Sequence, residues 1–135
     1  ATNCYETVFM MSGKGMGQST CIGVGGDMIP GSTFVDLLPF FEQDADTKAI
    51  VIIGEIGGNE EELAAEYIKQ TVSKPVVALI AGKNAPKGKS MGHAGAIVSA
   101  DGTGSAEHKE KLLAAAGVHI AESTANIVEI LQKIL

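Results

Sequence analysis

The stretch of this 135-residue chain best equipped for chemistry is residues 81–97, AGKNAPKGKSMGHAGAI. His93 stands there between Gly92 and the pair Ala94-Gly95. Neighbours this small leave an imidazole accessible and let backbone N–H groups converge on it. Lys83, Lys87 and Lys89 make the stretch locally cationic. A histidine on a glycine-rich loop with lysines nearby suits an anion, most simply a phosphate. The competing reading is a solvent-exposed histidine with no role. A second group, Gly54-Glu55-Ile56-Gly57-Gly58, follows an apolar run directly. A carboxylate there can accept the Nδ1–H of a histidine, fix its tautomer and leave Nε2 as the nucleophile. It can equally be a carboxylate held by loop N–H groups and nothing more.

Other patterns carry less. Gly25-Gly26-Asp27 and Gly13-x-Gly15-x-Gly17 lack the G-x-G-x-x-G of a dinucleotide fingerprint, and Gly54-x-x-Gly57-Gly58 lacks the Lys-Ser/Thr of a P-loop. Glu60, Glu61 and Glu62 fall in a first helical turn, where they suit the helix dipole and read as structural. His108 and His119 read as a surface helix residue and a strand residue. No three ligands share zinc-site spacing, so no metal site is expected. Met10, Met11 and Met16 read as packing residues. Cys4 and Cys21 are too few for a disulfide framework and read as free thiols of a reducing compartment.

Positioning these groups takes alternating strands and helices. Residues 1–12 read as a helix ended by Gly13, Gly15 and Gly17, and residues 20–25, TCIGVG, as a β-rich run. Ser32 caps a helix with Phe34, Val35, Leu38 and Phe41 on one face. Pro39 inside it predicts a kink or a late start. Residues 49–53, AIVII, read as a strand buried on both faces. Asn59 caps a third helix, with Glu62 completing a capping box. Residues 75–80 form the next strand and 81–95 a long loop. Ser105 caps a helix that ends at Ala116, with Gly117 as its stop. A short strand over 118–121 and a last helix capped by Ser123 or Thr124 complete the chain. The alternation predicts an α/β, three-layer flavodoxin-like domain with a mostly parallel sheet, a single unit over residues 1–135. Such sheets bind ligands at the carboxyl ends of their strands, here GVGGD, IGEIGG and the 81–95 loop.

Composition narrows the function classes. Hydrophobic residues at 45% and charged residues at 19% belong to a globular domain, not a disordered chain. The net charge of −6 with no arginine argues against general nucleic-acid binding. Aromatic residues at 4% are too sparse for base stacking. No apolar run approaches the ~20 residues of a membrane span, and no leader is visible. Glycine stands out, with 17 residues clustered after apolar runs, as loops that closely approach something would require.

Taken together, GQSTCIGVGGD, IPGSTFVD, IVIIGEIGGNEEELAAEYI, KPVVALIAGKNAPKGKSMGHAGAI and AAGV resemble the C-terminal domain of succinyl-CoA synthetase α subunits, over essentially the whole chain. The APKG-x-x-MGHAGA motif is the most specific part. The resemblance implies that His93 becomes phosphorylated, that Glu55 is its partner, and that Gly92 and Gly95 border the phosphate. It places Tyr5 near the substrate site, on a helix whose N-terminus helps cradle the phosphohistidine. The implied reaction converts succinyl-CoA, phosphate and a nucleoside diphosphate reversibly into succinate, CoA and a nucleoside triphosphate. Phosphate displaces CoA, His93 takes the phosphoryl group from succinyl phosphate, and the loop delivers it to the nucleotide. Mg2+ with ATP or GTP is expected on a β subunit, and CoA mainly on an N-terminal domain that nothing here matches. The domain is expected to show little or no ligase turnover alone, and to come from a bacterial cytoplasm or a mitochondrial matrix. Two alternatives remain: the same domain of a citryl-CoA or malyl-CoA ligase, and a non-catalytic flavodoxin-like docking module.

Overall fold

The computed structural model describes residues 2–27 and 29–135. Along the chain come α1 (Thr2–Gly13), α2 (Phe34–Gln43), β1 (Ile50–Glu55), α3 (Glu60–Thr71), β2 (Val76–Ala81), α4 (Ala106–Ala115), β3 (His119–Ile120) and α5 (Thr124–Ile134). The expected first helical residue, Ala1, lies outside the described residues. IVIIGE and VVALIA are dominated by β-branched and apolar residues that pack well on a pleated surface. They pair in parallel, residue for residue, from Ile50 opposite Val76 to Glu55 opposite Ala81. β3 joins the far side of β2, also parallel, through Val77–His119 and Ala78–Ile120.

The period of two along the strands builds three layers. Ile50, Ile52, Val76, Ala78 and Ile80 face one way and pack with Leu38 of α2, Ala64, Ala65 and Ile68 of α3, and Leu113 of α4. Val51, Ile53, Val77 and Leu79 face the other way, towards Ile127 and Leu131 of α5 and Met11 of α1, with Met16 just beyond. Both faces of β2 are buried, as a central parallel strand requires. The expected layers and the parallel sheet are therefore observed. No helix among the described residues is long and apolar enough to cross a membrane.

Three local expectations are corrected. Residues 20–25 form no strand. Ser19 Oγ lies 2.6 Å from Thr47 Oγ1, just before β1, and Gly26 packs against Glu55 at its end. The segment thus runs alongside β1, but Gly25, at φ +77°, breaks the extended backbone that a ladder needs. Thr33, not Ser32, caps α2: Asp36 closes a capping box with it, and no acid stands three residues after Ser32. The helix then runs on through Pro39. Asn59 precedes α3 but makes no side-chain cap, because the acids of the first turn face inward instead.

Candidate functional site

The long loop between β2 and α4 carries His93, and short turns give it shape. Gly88 N–H donates to the Val98 carbonyl at 2.8 Å, Met91 N–H to that of Ala96 at 2.8 Å, and Ser90 Oγ to that of His93 at 2.5 Å. Lys83 pairs with Glu110 of α4 at 2.9 Å and anchors the start of the loop. Glu55 is the last residue of β1, at the carboxyl end of the sheet. His93 Nε2 and Glu55 Oε1 are 3.0 Å apart, with each side chain 43% exposed, so the pair is open to a substrate from solution.

The two residues that the sequence singles out are therefore brought together, but through the other nitrogen. The expected contact was with Nδ1. Nδ1 lies beside the histidine's own main chain and turns towards Gly95 of the same loop. Only the distal Nε2 reaches across to a second loop. Glycines permit the approach. A side chain at Gly26 would strike Glu55 Oε1 and come within 2.8 Å of His93 Nε2. At Gly57, where φ is +91°, a side chain would strike the Gly95 carbonyl, so the two loops meet only through glycine. Beside the pair opens a cavity of about 260 Å³ lined by Gly26, Asp27, His93, Ala94 and Gly95.

Lys83 and Lys87 do not gather there. Lys83 is paired with Glu110, and the charge of Lys87 acts on Asp101, helping two Thr103 hydrogen bonds hold that carboxyl below its usual range. Gly92 belongs to the His93 turn, at φ +89°. Tyr5 lies on α1, exposed, and no hydrogen bond or ion pair among the described residues joins it to His93 or Glu55.

Glu61 and Lys109 are what the sequence reading missed. Both are buried. Glu61 Oε1 accepts the Glu55 N–H at 2.9 Å, and its other oxygen pairs with Lys109 Nζ. Lys109 Nζ also donates to the Gly57 carbonyl at 2.5 Å. Removing one member alone would leave a buried charge uncompensated, at roughly 3–5 kcal/mol. A helix-dipole role fits any acidic first turn, so only the spatial partner, 48 residues away, reveals the difference.

The sequence profile of the CoA-ligase family matches residues 1–119. Subunit alpha 1 of the ADP-forming succinate–CoA ligase of Archaeoglobus fulgidus is 52% identical over 134 residues, which is 99% of this chain and 45% of that protein. Subunit alpha of the Staphylococcus aureus enzyme is 51% identical over 126 residues, 93% of this chain and 41% of that one. Among solved structures, ATP citrate lyase of Methanosaeta concilii in complex with (3S)-citryl-CoA matches with a TM-score of 0.66 and 27% identity, over 82% of this chain and 20% of that one. The chain spans about half the length of the curated relatives it matches, such as 45% for the first Archaeoglobus subunit. With the profile running from residue 1 to the start of β3, the chain belongs to the CoA-ligase family, and its relatives there include the α subunits of succinate–CoA ligases.

Proposed function

We propose that this chain is the phosphoryl-carrying domain of a succinate–CoA ligase, an acid–thiol ligase, with His93 as nucleophile and Glu55 as the group that holds the ring proton. The 3.0 Å approach of the two side chains at the end of a parallel strand carries the reading. Phosphate first displaces CoA from succinyl-CoA to give succinyl phosphate. An imidazole nitrogen then attacks phosphorus: the N–P bond forms, the P–O bond to the acyl group breaks, and succinate leaves. The phosphohistidine passes the group to a nucleoside diphosphate on a partner β subunit. Covalent catalysis of this kind splits one transfer into two easier ones.

The resting geometry has a consequence for that attack. Nδ1 is turned towards Gly95 of its own loop, so a phosphoryl group there would have to share the space beside that residue. Nε2 projects clear of the loop but faces a carboxylate. The ring therefore turns before attack, bringing Nδ1–H to Glu55 and Nε2 to the cavity. Among the described residues no group of three His, Cys, Asp or Glu could hold a metal ion. We assign Mg2+ and the choice between ATP and GTP to the partner, and the greater part of CoA binding to a separate CoA-binding domain.

The test uses the full-length subunit assembled with its partner and Mg-ATP. Intact mass is recorded at neutral pH and after mild acid, with His93→Asn alongside. One acid-labile phosphate on the wild type, absent from the variant and assigned to Nε2 by 15N–31P coupling, is expected. No phosphate in a complex that binds nucleotide and CoA would leave only a docking role. A phosphate on Nδ1 would mean that the resting pairing persists. The likeness to ATP citrate lyase favours a citryl-CoA ligase as second reading. Turnover with succinate, citrate and malate compared side by side decides, and preference for succinate is expected.

A further inference from the structure

Glu55 is held not only by its strand but from beneath. Its N–H donates to Glu61 Oε1 at 2.9 Å, and two residues on, the Gly57 carbonyl accepts from Lys109 Nζ at 2.5 Å. Glu61 and Lys109 pair with each other, their side chains 5% and 0% exposed. Glu62 stands 3.6 Å from the same ammonium. Gly54 completes the fit, since a Cβ there would strike the Glu61 carboxylate. An ion pair that served only to join α3 to α4 would have no need to bond the main chain of the 55–57 turn. This one bonds it at both ends.

We propose that Glu61 and Lys109 are positioning residues, a buried clamp on the 55–57 turn that keeps the Glu55 carboxylate against His93. The proposal rests on the reading of Glu55 as the partner of a phosphorylated His93. Neither residue touches substrate, and both act through Glu55. Without the clamp the turn retains its strand hydrogen bonds but not its fixed end, and a carboxylate displaced by an ångström no longer steers the ring.

Single substitutions would strand a buried charge and unfold the domain, so paired ones are used. Glu62→Gln accompanies both pairs, because its carboxylate faces the same ammonium. Glu61→Leu with Lys109→Met removes charge and hydrogen bonds together. Glu61→Gln with Lys109→Gln removes the charge but retains groups able to bond the main chain. Each is made in the full-length subunit, assembled with its partner, with and without Glu55→Ala. The readouts are the His93 phosphorylation rate and KM for nucleotide. The Leu/Met pair is expected to slow phosphorylation about tenfold with KM within about twofold, and the Gln/Gln pair to recover most of the rate. With Glu55→Ala already present, the Leu/Met pair should add less than about twofold. If the losses multiply instead, with a cooperative unfolding transition intact, the clamp serves the fold alone and the proposal falls. Absence of phosphate from the wild type would instead overturn the reading of the site.

Cys4 and Cys21 carry a separate inference that does not depend on phosphoryl transfer. Cys4 lies on α1 and Cys21 in the segment beside β1, with their Sγ atoms 3.4 Å apart and both thiols free. The sulfurs need close only from 3.4 Å to the ~2.05 Å of a disulfide bond. We propose that the two form a reversible disulfide when hydrogen peroxide is the oxidant. Cys21, the more exposed, attacks the peroxide oxygen and becomes a sulfenic acid as one water leaves. The Cys4 sulfur then attacks that sulfur and expels a second water. Burial and the neighbouring Cys21 sulfur hold the Cys4 thiol above its usual range, consistent with its acting second. The bond would tie α1 to the segment that ends at Gly26, against Glu55 and His93. Peroxide-treated chain is expected to lose two hydrogens in mass as a monomer, to regain them with dithiothreitol, and to raise Tm by at least about 5 °C. Cys4→Ser should stop at the Cys21 sulfenic acid. Unaltered thiols, or dimers linked between chains, would overturn the proposal.

Discussion

Gly26 is an alanine's width from blocking the site. Its backbone φ lies outside the left-handed region, so Gly26→Ala strains no main chain, yet the new methyl group would meet Glu55 Oε1 and the His93 ring. Phosphorylation of His93 is expected to fall roughly 10- to 100-fold while Tm changes by less than about 2 °C, measured by intact mass and calorimetry. A rate within twofold of wild type would show that the reaction needs no close approach of the His93 ring to Glu55. At this scale the sequence is informative where chemistry and small neighbours coincide, as they do around His93 and Glu55. It is silent on which nitrogen meets the carboxylate, because that depends on how two loops approach in space. Lys109 was invisible for a related reason. A lysine within a polar helix reads as surface, and only the fold puts Glu61 and the Gly57 carbonyl around it.

Elements here are joined by side chains that bridge turns. Glu42, near the end of α2, accepts the Ser73 hydroxyl, the Ser73 N–H at 3.0 Å and the Lys74 N–H at 3.3 Å, tying α2 to the turn before β2. The hydroxyl bond chiefly holds the Glu42 carboxyl below its usual range, with the two N–H bonds and the Lys74 charge adding to it. A carboxyl lowered on folding adds stability above its unfolded pKa and loses it as pH falls through the folded value. Glu42→Gln should therefore lower Tm by a few °C at pH 7, and the gap should narrow as pH falls below the ordinary glutamate value of about 4.3. Thermal scans across that range would refute the linkage if the gap stayed constant. The strands at 50–55 and 76–81 were legible because continuous β-branched runs have one comfortable home in a parallel sheet. The run at 20–25 has similar residues but too many glycines, and it lies beside the sheet without joining the ladder. At α3, several acids compete for one cap, and burial against Lys109 outweighs a capping box that local spacing favours.

At the scale of the molecule, one sheet with cores on both faces presents its chemistry at a single edge, where β1 and the long loop end. The α subunits the chain resembles are about twice as long. The isolated chain is expected to show no ligase turnover with succinate, CoA and Mg-ATP in a coupled assay, and activity should return when the rest of the subunit and its partner are supplied. Turnover by the chain alone would overturn that expectation. The buried clamp also divides the site into halves of unequal persistence. The Glu55 amide bonds inward to a carboxylate that solvent barely reaches, while the His93 turn rests on a few exposed bonds. In deuterium oxide, the Glu55 amide should retain its hydrogen until the whole domain opens, whereas the amides of His93 and Ala94 should exchange early. On the proposed reading, the histidine swings between partners while the carboxylate that steers it stays as fixed as the fold itself.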